Sequence, residues 1–416
     1  MNIHASGRQD PSGLINPPSA RARHNIGFWL IAASFLIAMA FSTVPTPLYP
    51  LYQQRDGFST PMVTLVFAVY AVGVVASLIL VGHVSDWVGR KRILIPALAL
   101  EVVAAALFLV WSSLPGLLVA RLITGLGVGM ITATATAFLH ELHAVGRPDS
   151  GRGRFEIVST AANIGGLGVG TLVAGLLAEY VRGPLRTPYL IFVLLLLLAI
   201  AAVAASPETV LRPSQSPAWS PQVISVNLGD RAGYLAAAVA AFAAFSIFGL
   251  FTSLAPGFVA GTLHHASRAL AGLIVFAVFG AAAVAQMATN RLGTPARRAI
   301  GLATKATGLI VLAVGMQNTN LIVFLIGGVI AGGGAGILFK SAIGAVAAMA
   351  QPAQRGGALA GLFLVAYLGL IVPAIGLGIA TKLLTAPVAM WWFTVAILAV
   401  MGACGALAAA ARRSPS

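Results

Sequence analysis

Residues 82–94, GHVSDWVGRKRIL, separate two long apolar runs with one acid, two glycines and three consecutive cations. Only 8% of the chain is charged, so this concentration needs a cause of its own. The runs on either side, 61–82 and 93–111, each have the length that crosses a bilayer, and the stretch is therefore read as a turn between membrane spans. Gly82 and Gly89 let backbone approach backbone, and Asp86 supplies a fixed negative charge suited to the positive N-terminal end of a neighbouring helix. A plainer reading is a basic turn that follows the positive-inside rule, with Asp86 paired to Arg90 four residues on.

Outward from this turn, the 416 residues are 59% hydrophobic, which marks a polytopic membrane protein. Apolar runs fall at 26–44, 61–82, 93–111, 114–138, 155–178 and 187–205. A polar, Pro-containing stretch follows, and six more runs come at 232–254, 269–288, 298–316, 321–347, 358–380 and 388–410. The expected organisation is a disordered tail at 1–25, a first bundle at 26–205, a linker at 206–231, a second bundle at 232–411 and a short tail at 412–416.

The net charge of +15 does not point to nucleic acid, because the cations lie between apolar runs instead of on one soluble face. They report topology. Arg8, Arg21, Arg23, Arg90, Lys91, Arg92, Arg231, Arg412 and others gather on one side, against Arg55, Arg182, Arg186, Arg268 and Lys382 on the other. Both termini are therefore expected in the cytosol, with the first span an uncleaved insertion signal. The single Cys404 lies within the last run and forms no thiol cluster, so no metal and no cofactor is expected.

The two halves echo each other. Aligning Gly293 with Gly89 puts Asn290 at the place of Asp86 and Gln286 at that of Gly82. Gly125, Gly127 and Gly129 are matched by Gly332, Gly334 and Gly336.

Gly82, Asp86, Gly89, Arg90 and Lys91 stand in the register of the loop between helices 2 and 3 of the major facilitator superfamily, with Val84 where Leu is usual and Trp87 where Arg is usual. The chain resembles that family over nearly its whole length. Arg121, four residues before Gly125, is similar to the family's helix 4 motif. The run NIGGLGVGTLVAGLL, with Gly166, Gly170 and Gly175, resembles the glycine-rich helix 5 motif of its antiporters, with Thr171 where that motif has Pro. The resemblance implies an all-α membrane protein of the MFS fold, with 12 transmembrane helices as two pseudo-symmetric six-helix bundles and a pathway between them. It also implies that the turn is a gate in which Asp86 meets helix 11, and that the first helix, where proton-coupled relatives carry an acid, has none here.

Several residues are candidates for the substrate or proton pathway. An arginine inside hydrocarbon must be paired or wet, so Arg121 is expected on a cavity unless it snorkels to the outer face. Glu101 is the carboxylate set deep in a span, and a carboxyl kept from water suits a proton carrier, although a structural, hydrogen-bonded role fits equally. It lies about 9 Å from Arg121 in height, too far for a direct salt bridge. Phe242 and Phe245, with Phe248 and Phe251, form an aromatic stripe that walls a cavity or packs against lipid. Asn163, Gln286 and Tyr367 add polar groups, and Gly125, one turn after Arg121, is expected on the same pathway. Gly166, Gly170, Gly175 and Pro373 are expected to serve packing and hinging of helices 5 and 11.

Enzyme readings find no support in the residues. His140, Glu141 and His143 miss zinc-protease spacing, because Ala144 stands where the second His belongs. His264 and His265 are adjacent and have no third ligand in reach. The expected function is secondary active transport of a small organic molecule by a monomer in the bacterial inner membrane, with protons as the coupling ion and a drug-like or amphipathic metabolite exported. Uptake or facilitated diffusion is the alternative within the family, and a membrane scaffold or receptor the alternative outside it.

Overall fold

The computed structural model describes residues 18–148, 150–151, 153–210, 221–222, 230–351 and 354–413. Among the described residues, twelve helices are long and apolar enough to cross a membrane. We call them α1 (Pro18–Thr43), α2 (Thr60–Val81), α3 (Arg90–Val110), α4 (Leu114–Gly146), α5 (Gly153–Tyr180), α6 (Thr187–Ala205), α7 (Arg231–Ser253), α8 (Arg268–Ala288), α9 (Thr294–Gln317), α10 (Leu321–Met349), α11 (Arg355–Ala380) and α12 (Ala386–Arg413). All twelve apolar runs are helices, as their length requires. Residues 18–25, expected as tail, are instead the helical start of α1, and α4 continues past its apolar run to Gly146. Most of the expected linker, 211–220 and 223–229, lies outside the described residues, as do 1–17 and 414–416.

Helices α1 to α6 pack among themselves, chiefly through α2 on α4, α3 on α4, and α1 on α4, α5 and α6. Helices α7 to α12 form a second bundle through α9 on α10, α7 on α11 and α12, and α8 on α10. The bundles meet along two seams, α2 against α11 and α5 against α8. Twelve spans place both ends of the chain on the same side, here called the terminal end. The charged turn lies at that end too.

Small residues set these distances. A Cβ on Gly125 would lie 2.9 Å from the Cα of Gly73, so α2 and α4 touch backbone to backbone. Gly166 and Gly170 receive α1, at Leu36 and Ala40, and Gly175 faces Gly272 of α8 across the seam. Gly249 and Gly369 do the same for α7 and α11.

The repeat found in the sequence carries further than the glycines. Twelve residues after the aligned Gly89 and Gly293 stand Glu101 on α3 and Lys305 on α9, each 0% exposed. Gly127 of α4 faces the Glu101 carboxyl and Gly334 of α10 faces the Lys305 backbone, so a glycine stands against the residue that carries the ionisable group in both halves.

Candidate functional site

A cavity of about 400 Å³ lies between the two bundles. Its lining starts near the terminal end, at Leu78, Ser159, Gln286 and Ile343, and stops at Thr46, Arg121 and Thr252. Beyond those residues the far end is closed. Thr171 Oγ1 donates to the Gly272 carbonyl at 3.2 Å, and a Cβ on Gly378 of α11 would come within 2.9 Å of Thr64 of α2. Arg268 and Glu179 complete the closure. The Arg268 backbone N–H at the start of α8 donates to Glu179 at 2.9 Å, and its guanidinium reaches Glu179 at 3.8 Å and the Ala178 carbonyl at 3.4 Å. Each residue thus caps the terminus of the other's helix.

The walls of the cavity differ. The α1, α4 and α5 side offers hydroxyls, an amide and one cation: Ser42, Thr43, Thr132, Thr136, Asn163 and Arg121. Asn163 sits in a π-helical turn, Ala161–Gly165, which displaces it from regular α-helical register. Arg121 is 1% exposed. It donates to the Tyr49 hydroxyl from Nε at 3.1 Å and from Nη2 at 2.6 Å, and to the Ser42 carbonyl from Nη1 at 2.6 Å. The rings of Tyr49 and Tyr70 lie 5.7 and 5.3 Å from its guanidinium.

The opposite wall is aromatic. Phe245 is its hub, edge-on to Phe248, Phe339 and Tyr367 with ring centroids 5.9, 4.7 and 5.5 Å away. Phe248 stacks on Phe279 of α8 at 4.8 Å. Gln286 and Tyr367 lie on the lining, as do Asn163 and Phe245.

Three expected pathway residues lie elsewhere. Residues three apart on an α-helix turn roughly 60° away from one another, so the stripe on α7 spirals off the cavity. Phe242 packs beside Gly369 and lines a separate groove with Pro373 and Trp392, and Phe251 is sealed against Phe324 and Gly328. Gly125 is spent on the α2 crossing. Glu101 is buried behind the wall, and neither carboxyl oxygen has a hydrogen-bond partner among the described residues.

The charged turn is a network. Arg90 is 6% exposed and donates to Asp86 at 2.5 Å, to Ser85 Oγ at 2.7 Å and to Glu141 of α4 at 2.6 Å. Glu141 also accepts from Thr209. After α6, Glu208 takes the Arg90 and Lys91 backbone N–H groups, both at 3.1 Å, while Lys91 Nζ donates to the Ala204 and Ser206 carbonyls. Gly89 has φ +114°, a conformation that favours glycine, whereas Gly82 is ordinary right-handed helix. Among the described residues, no ion pair or hydrogen bond joins Asp86 to helix 11 in this conformation. Its carboxylate is 63% exposed and pairs with Arg90, as the four-residue spacing allows.

Four groups were given no part in the site by the sequence reading. Glu141 and Glu208 are distant in sequence from the turn they complete. Lys305 and Lys340 were legible as cations inside spans. Lys305 Nζ lies 3.4 Å from the Ala244 carbonyl and from Ser246 Oγ, and Lys340 donates to the Gln286 carbonyl at 3.2 Å and to the Asn290 amide oxygen.

Two six-helix bundles in contact along two seams, with a central cavity between them that is closed at the far end, have the architecture of a membrane transporter. The chain belongs to the major facilitator superfamily, whose family model matches residues 30–264. An uncharacterized MFS-type transporter of Mycobacterium tuberculosis, matched in the Oshkosh and H37Rv strains, is 27% identical over 164 residues, 39% of this chain. The match spans 23% of those relatives' own length. The fold is similar to that of the human organic anion transporter MFSD10 (TETRAN), with a TM-score of 0.67 at 15% identity, covering 92% of this chain and 99% of that one. It is also similar to a variant of the nucleoside transporter NupG, with a TM-score of 0.69 at 13% identity, covering 92% and 100%.

Proposed function

We propose that the protein is a monomeric secondary transporter of the bacterial inner membrane, with both termini cytosolic, that exports a small amphipathic organic compound in exchange for protons. The observation that carries this reading is the cavity between the bundles, whose far end is shut by cross-bundle contacts while its lining runs on toward the terminal end. Opening the seams α2/α11 and α5/α8 and closing the terminal end would turn the same cavity to the other side. In that second state Asp86 leaves Arg90 for the start of α11, and Gly82, Asp86, Gly89, Arg90 and Lys91 act as the gate. The glycine-rich α5, which lies on both α1 and α8, supports exchange. Both solved neighbours are named for small organic solutes, which supports the substrate scale.

One observation favours the alternative of uptake or facilitated diffusion: no acid is among the described residues that line the cavity, and Glu101 stands behind its wall. Flux in sealed proteoliposomes, with and without an imposed proton gradient, separates the two. Gradient-driven counterflow upholds exchange, and flux indifferent to the gradient leaves a facilitator.

A further inference from the structure

We propose that the cavity selects aromatic compounds bearing a single anionic group, with the anion held on Arg121 and the ring laid among Phe245, Phe248 and Phe339. This rests on the reading of the cavity as the substrate site.

Charge is the first argument. Arg121 has no carboxylate within ion-pair distance among the described residues, and its hydrogen-bond partners, Tyr49 and Ser42, are neutral. A buried cation with neutral partners is incompletely compensated, and an anion in the cavity would supply what is missing. Three of the five guanidinium N–H donors are taken by these bonds, which leaves two for an anionic acceptor such as a carboxylate. A substrate cation would meet Arg121 with no acid on the lining to offset the repulsion.

The second argument is where the hydroxyl protons already go. Ser42, Thr43, Thr132, Thr136 and Thr252 donate to carbonyls, chiefly of their own helices. Those hydroxyls are poor donors to a ligand, so the strongest donor left on the lining is the guanidinium.

The third is shape. The rings of Phe245, Phe248, Phe279, Phe339 and Tyr367 meet one another edge-on or stacked, leaving an aromatic surface opposite a cation. Such a surface gains more from a flat ring than from an aliphatic chain. About 400 Å³ lies in the range for a small organic ligand.

The test uses three compounds of one shape, 2-naphthoate, 2-naphthamide and 2-naphthylmethylammonium, with cyclohexanecarboxylate as the non-aromatic anion. Equilibrium dialysis measures their binding to the full chain in nanodiscs of neutral lipid. The expected result is 2-naphthoate bound at least about tenfold more tightly than the other three, about tenfold weaker in Arg121→Met, and weaker in Phe245→Leu by a larger factor than cyclohexanecarboxylate. Equal or tighter binding of the amide or the cation by the wild-type protein overturns the proposal. So does the absence of 2-naphthoate binding up to about 1 mM. These comparisons need no variant to fold. Flux of the same compounds in proteoliposomes keeps the two readings apart. Binding of naphthoate without flux counts against transport alone, and flux of the cation in preference to the anion counts against this selectivity alone.

Discussion

The two bundles share a backbone plan and differ in where they put charge. At the terminal end of the first, the turn contributes Asp86 and Arg90, and α4 contributes Glu141, so a nearly buried cation sits between two carboxylates. In the second, the place of Asp86 is taken by Asn290, a neutral amide, and the cation comes from α10 as Lys340. Deeper in, Glu101 and Lys305 occupy one position of the repeat with opposite charge types. Along the cavity the first bundle brings Arg121 and most of the hydroxyls, the second the larger cluster of aromatic rings. Repetition supplied the frame, and substitution within it put the cation on one side and most of the rings on the other. A pathway between such halves presents different chemistry on its two sides, which a strictly symmetric pair of bundles could not.

The largest effect expected is at the charged turn. Arg90→Ala removes contacts to Asp86, Ser85 and Glu141 and leaves Glu141 without its cation, and thermal unfolding in detergent is expected to show a loss of about 3 kcal/mol. Arg297→Ala at the turn of the second bundle removes an exposed bond to the Leu292 carbonyl and is expected to change the melting temperature hardly at all. Equal losses would mean that the two turns carry the same load.

Next is the pair of glycines beside the buried ionisable groups. A Cβ at position 334 would strike the backbone of Lys305, at 2.7 Å from its Cα, whereas a Cβ at 127 would chiefly meet the end of the Glu101 side chain. Backbone yields less than a side-chain tip, so Gly334→Ala is expected to cost about 2 kcal/mol and Gly127→Ala clearly less. Reversed order in an unfolding assay would break the comparison.

Lys305→Met replaces a buried amine with two long contacts by an apolar chain of similar length, and the variant is expected to unfold no earlier than the parent, within about 1 kcal/mol. A melting temperature well below the parent's would show that the amine contributes more than its distances suggest.

The smallest effect is at Asp86. With its carboxylate 63% exposed, Asp86→Asn is expected to shift stability by no more than about 0.5 kcal/mol. Under the proposed function the same variant loses transport, so normal flux with normal stability would remove the gate from the account.

The frame was legible because each bilayer crossing needs an apolar run of sufficient length, and nothing else in the chain imitates one. Arg121 was legible by the same logic, since a cation in hydrocarbon has few places to be. The aromatic stripe was half legible: Phe245 reaches the cavity and Phe242 does not, because a three-residue spacing drifts around a helix. Glu141 and Glu208 escaped for another reason. Their partners lie 51 and more than 100 residues away in sequence, and no local pattern announces such a meeting. The π-helical turn around Asn163 likewise went unread in the sequence. Lys305 was visible as a charge in a span, and the alignment that paired Gly89 with Gly293 already set it opposite Glu101.

The closure at the far end has a consequence for the solution it faces. Glu179 holds the first N–H of α8 while Arg268 holds a carbonyl at the end of α5, so parting the seam releases two helix ends together. Water or dissolved ions must take both places at that moment. The ionic strength outside the membrane therefore acts on this closure directly: salt weakens the attraction between the separating charges and stands in for them once they part.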